Sequence, residues 1–236
     1  MTLILKGKTI IGPRRKFSTF SFDFDGTDDK FDTSSIDLGL ENTISFWAKS
    51  DGVYFNGMVL GGIVQSNYYT VFLTSTNRLL YRVGGGANSF DDADIISALG
   101  SGNWFHCALV RNNGGADVLC YINGNLKQTI PGIVGSGNNT IVQDIGARTL
   151  NDFYIRGTLD EIAVWSSALS NSDIISIYNS GKPNDLSSLS PISWWRMGDE
   201  ANFTGGVWTL TDQGSGGNDG TSSAMDENNR VVDTPQ

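Results

Sequence analysis

The stretch from Trp104 to Gly124, WFHCALVRNNGGADVLCYING, decides the fold of this chain. Two apolar runs, Trp104–Arg111 and Asp117–Asn123, flank the turn-forming sequence Asn-Asn-Gly-Gly. Asn and Gly tolerate the positive φ angles of tight turns, so the two runs are predicted to form a hairpin. A second signal of the same kind, Asn123-Gly124, follows at once. We therefore expect consecutive antiparallel strands in this region.

The two cysteines of the chain, Cys107 and Cys120, lie on the two arms of this hairpin. A turn centred between Asn113 and Gly114 would place Cys107 directly opposite Cys120. A disulfide and two buried free thiols are both compatible with that arrangement, and we favour the thiols.

Similar short runs, separated by Gly, Asn and Asp, continue along the chain and predict further strands. They are Phe17–Phe24, Thr43–Lys49, Met58–Val64, Tyr68–Thr74, Leu79–Val83, Ile141–Ile145 and Leu159–Trp165. Strands at this spacing are typical of a β-sandwich or jelly roll. One helix is predicted after Ser170, which can cap it together with Asp173. Its apolar stripe, Ile174, Ile177 and Tyr178, is predicted to pack on the core.

Composition and charge restrict the function. The 236 residues include 29 glycines and only 17% charged residues, which excludes a helical bundle or coiled coil. The net charge of −9 disfavours nucleic acid as a partner, because phosphate binding needs a basic surface. No apolar run is long enough to span a membrane. The first residues also lack the apolar stretch of a secretion signal, so we expect synthesis in a cytoplasm without a signal peptide.

Five blocks of sequence resemble the laminin G-like, concanavalin A-like domains, in the bacterial and viral branch with pentraxin-like architecture. The blocks are FDFDGTDD (22–29), TISFWAK (43–49), NWFHCALVR (103–111), CYING (120–124) and GTLDEIAVW (157–165). They occur in the order that is usual for the family. The resemblance implies an antiparallel β-sandwich of jelly-roll type with one short helix in the C-terminal half.

The resemblance divides the chain into an N-terminal arm (1–16), a laminin G-like sandwich (17–182) and a C-terminal extension (183–236). In the extension, SWWRMGDE (193–200) resembles a segment that precedes the FDGTDD block in many relatives. Either the order is circularly permuted, or the extension is the first strand of a lost repeat. We favour permutation, because Trp194 and Trp195 are costly to expose and a strand added to the same sandwich would bury them.

The wording of the extension also resembles laminin G-like proteins of marine tailed phages. This resemblance implies a non-catalytic structural or surface protein of a virion, associated with its capsid or tail. The expected partners are other virion proteins, further copies of the chain and, for adhesion, surface glycans. A cellular or secreted carbohydrate-binding lectin is the alternative, and a glycoside hydrolase is a distant third.

Catalytic residues are not predicted. Hydrolases of this fold carry two carboxylates on alternate positions of one strand, in a motif like E-x-D-x-E. Here Asp160 and Glu161 are adjacent, so a regular strand would point them to opposite faces. The acidic run Asp91–Asp94 is interpreted as a solvated loop, and the single histidine, His106, as a packed residue.

Two binding sites are predicted. Relatives often hold one structural calcium ion, and the resemblance assigns its ligands to Asp25, the carbonyl of Gly26, and Asp160. The alternative is a simple turn at Asp25-Gly26. For a glycan, the aromatic and amide side chains at Tyr54, Tyr68, Tyr69 and Asn67 would supply a platform and hydrogen bonds. The alternative is that they are ordinary loop and sandwich residues.

Overall fold

The computed structural model describes residues 17–51, 55–64, 67–84, 86–148 and 152–236. Residues 1–16, predicted to form an arm, lie outside this part. The strands within it are β1 (Ser21–Asp25), β2 (Lys30–Asp32), β3 (Ile36–Asp37), β4 (Asn42–Lys49), β5 (Gly57–Val64), β6 (Asn67–Leu73), β7 (Leu79–Val83), β8 (Gly86–Phe90), β9 (Phe105–Asn112), β10 (Asp117–Ile122), β11 (Asn125–Ile130), β12 (Ile141–Ile145), β13 (Arg156–Trp165), β14 (Ser193–Trp195), β15 (Ala201–Thr204), β16 (Val207–Leu210), β17 (Gly220–Ser223) and β18 (Arg230–Val231). The α-helices are α1 (Ala93–Leu99) and α2 (Asn171–Tyr178).

The strands form two antiparallel sheets, so the predicted sandwich is confirmed. In the described residues, one sheet has eight strands in the order β11-β10-β9-β4-β13-β1-β18, and β14 pairs with β13 beside β1. The other has ten, in the order β15-β16-β17-β2-β12-β5-β6-β7-β8, with β3 paired to β12. Residues 183–236 therefore contribute strands to both sheets.

The main core lies between the two sheets and follows from the alternation of side chains along each strand. Phe22 and Phe24 of β1 belong to it, as do Cys107 and Leu109 of β9. In β9, the residues that alternate with these face the other way and belong to a second apolar cluster. There, Ala108 and Val110 of β9 pack with Trp165, Trp194 and the buried residues Ile174 and Ile177 of helix α2. The helix thus covers part of the outer face of the eight-stranded sheet.

The hairpin register differs from the prediction. Cys107 pairs with Ile122, and Cys120 pairs with Leu109, because the turn is centred one residue later, between Gly114 and Gly115. The two cysteines are diagonal neighbours and are free, buried thiols.

Helix α2 was predicted, whereas helix α1 was not. The capping box between Ser170 and Asp173 is present at the start of α2. The run Asp91–Asp94, expected to be a loop, instead begins helix α1, with the Asp92 side chain as its cap. This helix is too short for a periodic signal, since only Ile95 and Leu99 reach the core. In the described part of the chain, no helix has the length and hydropathy that a membrane crossing requires.

Candidate functional site

The first predicted site lies at the turn that follows β1. The carboxylate oxygens of Asp25, Asp28 and Asp29 lie within 4.8 Å of one another. Gly26 has a φ of +79°, and a Cβ there would lie only 2.9 Å from the Cβ of Arg156. The turn therefore needs glycine, and the sequence Asp-Gly-Thr-Asp-Asp brings three acidic side chains together.

Hydrogen bonds orient these carboxylates. Asp29 Oδ2 accepts from the backbone N–H of Asp25 at 2.9 Å and from Asn229 Nδ2 at 2.8 Å. Burial, followed by the charges of Asp25 and Asp28, raises the pKa of Asp29 to about 6. Carboxylate and carbonyl oxygens are the ligands that calcium prefers. The donor set formed by the three carboxylates therefore fits calcium, and the carbonyl of Gly26, in the same turn, stays a predicted ligand.

Asp160, the third predicted calcium ligand, is not brought to this turn. Asp25 pairs with Arg156, so Asp160 lies four residues farther along β13. At the rise of a strand, that is about 13 Å. Asp160 is fully buried, and its Oδ1 accepts from the backbone N–H of Glu161 at 2.8 Å.

Asp160 belongs instead to a buried ionic network. A β-bulge between Asp160 and Ala163 gives Glu161 a φ of 46°. The expectation that the two carboxylates point to opposite faces assumed a regular strand, and the strand is not regular here; the charge of Glu161 raises the pKa of Asp160. Glu161 Oε1 accepts from Arg196 Nη2 at 3.0 Å, and its Oε2 accepts from Trp194 Nε1 at 2.6 Å. The network binds the C-terminal extension to the sandwich.

The hydroxyl of Ser18 joins two carboxylates of this network. Ser18 Oγ donates to Asp160 Oδ2 at 2.6 Å, and Asp199 Oδ2 at 3.1 Å and the carbonyl of Phe20 at 3.2 Å lie within reach of the same hydroxyl. Burial and then the Glu161 charge raise the pKa of Asp160 well above its ordinary value, against the hydrogen bond from Ser18. Asp160 therefore holds a proton to higher pH than an exposed aspartate does.

The predicted packing of His106 is confirmed. The ring is fully buried beside Trp47 and Tyr178, and its Nε2 lies 2.8 Å from Ser45 Oγ. Burial lowers the pKa of His106 to about 3, so the ring is neutral. It cannot act as an acid or base at neutral pH.

Most of the predicted glycan platform lies outside the described part of the structure. Tyr54 falls in the range 52–54, which is not described. Asn67, Tyr68 and Tyr69 lie on β6, and the structure describes their backbone but not their side chains. The assignment of these four residues to a glycan site stays a prediction.

A different surface has the features of a ligand site. A groove of about 440 Å³ lies between helix α1 and the strands β9–β11, and we call it the Trp104 groove. It is lined by Asp94, Ser97, Ala98, Ser101, Asn103, Trp104, Phe105, Ile122, Asn123, Asn125 and Lys127. Its volume is within the range typical of small-molecule sites. The sequence does not indicate it, because its residues come from three separate segments.

Trp104 is held in place beside amides, hydroxyls and an ion pair. Its indole Nε1 donates to Asp233 Oδ1 at 2.8 Å, and the ring stays partly exposed. Across the groove, Lys127 Nζ lies 2.6 Å from Asp94 Oδ2. Asn125 Nδ2 donates to the carbonyl of Asn123 at 2.9 Å. An aromatic face next to fixed polar groups is suited to a ligand that carries many hydroxyls.

A second cavity adjoins the groove across the loop 101–104. It has a volume of about 370 Å³, and we call it the Asp23 cavity. Its lining is formed by Asp23, Lys49, Ser50, Asp51, Gly102, Thr158, Val231 and Asp233. Asp233 links the two, because its carboxylate contacts both Lys49 Nζ at 2.5 Å and the Trp104 indole.

Comparison with known proteins identifies one family and several solved structures with a similar fold. A family model described as the concanavalin A-like lectin/glucanases superfamily matches residues 25–175. A candidate carbohydrate-binding protein from Bacteroides ovatus is similar over 93% of this chain, at a TM-score of 0.64 and 16% identity. This chain spans 61% of that protein's length. A SAP-like pentraxin from Limulus polyphemus is similar over 68% of this chain and 82% of its own, at a TM-score of 0.52 and 16% identity.

At such identities the structural matches show the fold alone. No curated protein sequence matches the chain. The family model, in contrast, covers well over half of the residues and includes four of the five blocks in full. The protein therefore belongs to the concanavalin A-like lectin/glucanases superfamily.

Proposed function

We propose that this protein is a non-catalytic carbohydrate-binding domain whose ligand occupies the Trp104 groove. The observation that carries the proposal is a partly exposed indole fixed beside amides, hydroxyls and an ion pair in a groove of about 440 Å³. The described carbohydrate-binding candidate from Bacteroides ovatus supports it through the shared fold. The burial of Asp160 and Glu161 also supports a binding role, because hydrolysis needs carboxylates that reach the substrate.

A glycan array on the purified chain tests this function. Substitution Trp104→Ala is expected to weaken binding more than tenfold, and Asn125→Ala several-fold, because each removes a groove contact. Leu126→Ala is the matched control: Leu126 is 48% exposed on the same strand as Asn125, but alternation places it on the opposite face. Binding that survives both groove variants would refute the site, and no binding to any glycan would refute the function.

We further propose a calcium ion at the turn formed by Asp25, Gly26, Asp28 and Asp29. Such an ion would neutralise three crowded carboxylates and stabilise the turn. Millimolar calcium is expected to raise the Tm by about 5 °C relative to chelator at pH 7.5. The shift should shrink at pH 5, because the pKa of Asp29 is about 6 and protons then compete with the metal.

Variants separate the possible ligands of this ion. The double variant Asp25→Asn, Asp28→Asn should abolish the calcium shift, whereas Glu200→Gln, an exposed carboxylate elsewhere, should keep it. Asp160→Asn tests the remaining predicted ligand. Loss of the shift in that variant would return Asp160 to the site, and an unchanged Tm after chelation of the wild-type chain would exclude the ion.

The proposed biological setting is the surface of a virion, where several copies would present the domain for adhesion to glycans. The resemblance of the C-terminal extension to phage proteins supports this setting. Mass spectrometry of purified particles is the direct test. A chain found in cell extracts or medium but never in particles would favour the alternative of a cellular or secreted lectin.

A further inference from the structure

In the part of the chain that the structure describes, the Asp23 cavity has three carboxylates, and two of them are paired with basic side chains. Arg156 Nε lies 2.5 Å from Asp51 Oδ2, and Lys49 Nζ lies 2.5 Å from Asp233 Oδ2. Asp23 has only the hydroxyl of Thr158 at 3.3 Å from its Oδ1, and it forms no ion pair with any described residue. Within the described residues, the lining therefore carries one carboxylate, on the exposed side chain of Asp23, that no basic side chain pairs with.

A buried hydroxyl in the same lining also lacks a partner. Ser50 is 3% exposed and lines the cavity, yet among the described residues its Oγ has no hydrogen-bond partner. Buried polar groups are almost always satisfied, and leaving one unpaired is unfavourable. A ligand with a positive charge and hydrogen-bonding groups would pair with the carboxylate of Asp23 and with the hydroxyl of Ser50.

We propose that the Asp23 cavity binds the ammonium group of an amino sugar, as an extension of the Trp104 groove. The inference rests on the proposed glycan-binding function and specifies its ligand class. Asp233 and the loop 101–104 lie between the two cavities, so an oligosaccharide that crosses this loop would reach both. A single ammonium matches the single unpaired carboxylate, whereas a divalent cation would bring a second positive charge that no carboxylate balances next to the ammonium of Lys49.

The electrostatics of Asp23 agree with this assignment. Burial raises the pKa of Asp23, and the nearby carboxylates Asp51 and Asp233 raise it further, against the hydrogen bond from Thr158 and the charge of Arg156. A cation bound beside Asp23 would lower its pKa again, because an opposite charge favours the ionised carboxylate. Binding of an amine should therefore stabilise the ionised form of Asp23.

Calorimetric titration of the full chain with two tetrasaccharides tests the inference. One is built of glucosamine, and the other is its fully N-acetylated form, which lacks the charge. We expect the glucosamine tetramer to bind at least tenfold more tightly at low ionic strength. Asp23→Asn should remove this preference, Lys49→Met should increase it, and Glu200→Gln should leave it unchanged.

The outcomes separate a failure of the amine site from a failure of the proposed glycan-binding function. Equal affinities for the two tetramers, or a preference that Asp23→Asn retains, would overturn the amine site. If the tetramers fail to bind while other glycans bind in a Trp104-dependent manner, the inference fails and the proposed function stands. If no glycan binds, both fail.

Discussion

Asp160 and Glu161 are adjacent and equally buried, yet their partners differ. Asp160 faces a serine and a second carboxylate, while Glu161 accepts hydrogen bonds from Arg196 and Trp194. Burial raises the pKa of Glu161 as well, but the charge of Arg196 opposes that rise. The two adjacent acids thus differ: the raised pKa of Asp160 favours its protonated form, whereas Glu161 is ion-paired with Arg196.

Replacing each acid by its neutral amide should change the stability of the protein by very different amounts. Asp160→Asn resembles the protonated form that the raised pKa of Asp160 favours, and it is expected to change stability little at pH 5. Glu161→Gln removes the nearer of two carboxylates around the buried Arg196, leaving Asp199 at 3.9 Å, and should cost about 3 kcal/mol. Urea unfolding of both variants measures this contrast. Equal losses for the two would contradict the different roles of the two acids.

The raised pKa of Asp160 also predicts how the stability of the folded chain changes with pH. A folded pKa above the unfolded value means that the folded chain holds a proton that the unfolded chain releases. This stabilisation is complete at low pH and is lost as the pH rises from about 4 toward the folded pKa. Wild type should therefore lose stability relative to Asp160→Asn between pH 5 and pH 8. Other carboxylates whose pKa is raised, such as Asp29, are present in both proteins, so their contributions to the pH dependence cancel.

At the scale of elements, helix α2 depends on Ser170, the residue that caps its N-terminus. Ser170 Oγ accepts from the backbone N–H of Asp173, and Asp173 Oδ2 accepts from that of Ser170. Ser170→Ala should cost about 1 kcal/mol and lower the Tm by about 2–4 °C. Ser176→Ala, on the exposed face of the same helix, is the control and should change the Tm little. Similar melting curves for both would argue against the capping role.

What the sequence could predict depends on how local each element is. Helix α2 and the hairpin arms were predictable because their signals lie within a few residues, as in the capping box and the Asn-Gly turn. The exact hairpin register was not, since the sequence Asn-Asn-Gly-Gly allows a turn centred at either of two places, one residue apart. The bulge at Glu161 was not predictable either, since it depends on pairing with the distant strand β4. The same holds for the sites. The Asp25 turn is local, but the Trp104 groove is assembled from α1, β9 and β11.

At the scale of the whole molecule, residues 183–236 are part of the sandwich. Trp195 and Trp208 belong to the main core, and the Trp208 ring lies 5.1 Å from that of Phe22. The two ends of the described chain are also close, because Phe17 and Gln236 line one cavity. This arrangement is the one that a circular permutation requires. The permutation itself stays a prediction.

Truncation after residue 182 tests the role of the extension. The fragment 1–182 loses β14–β18 and exposes core faces of both sheets, so we expect it to aggregate or to bind a hydrophobic dye. Removal of residues 1–16 alone is the control, since the described core does not include them. A soluble fragment 1–182 that unfolds as cooperatively as the full chain would refute the permutation hypothesis.

The pairing of the last strands with the first has a consequence for synthesis on the ribosome. Ser21 of β1 pairs with Val231, and Phe31 of β2 pairs with Ser222. The opening strands therefore leave the ribosome long before their final neighbours exist. Until then β1 and β2 each present an open edge to other nascent chains. Early termination would leave both edges open permanently, so cells that make this protein need either fast completion or a chaperone that shields its first strands.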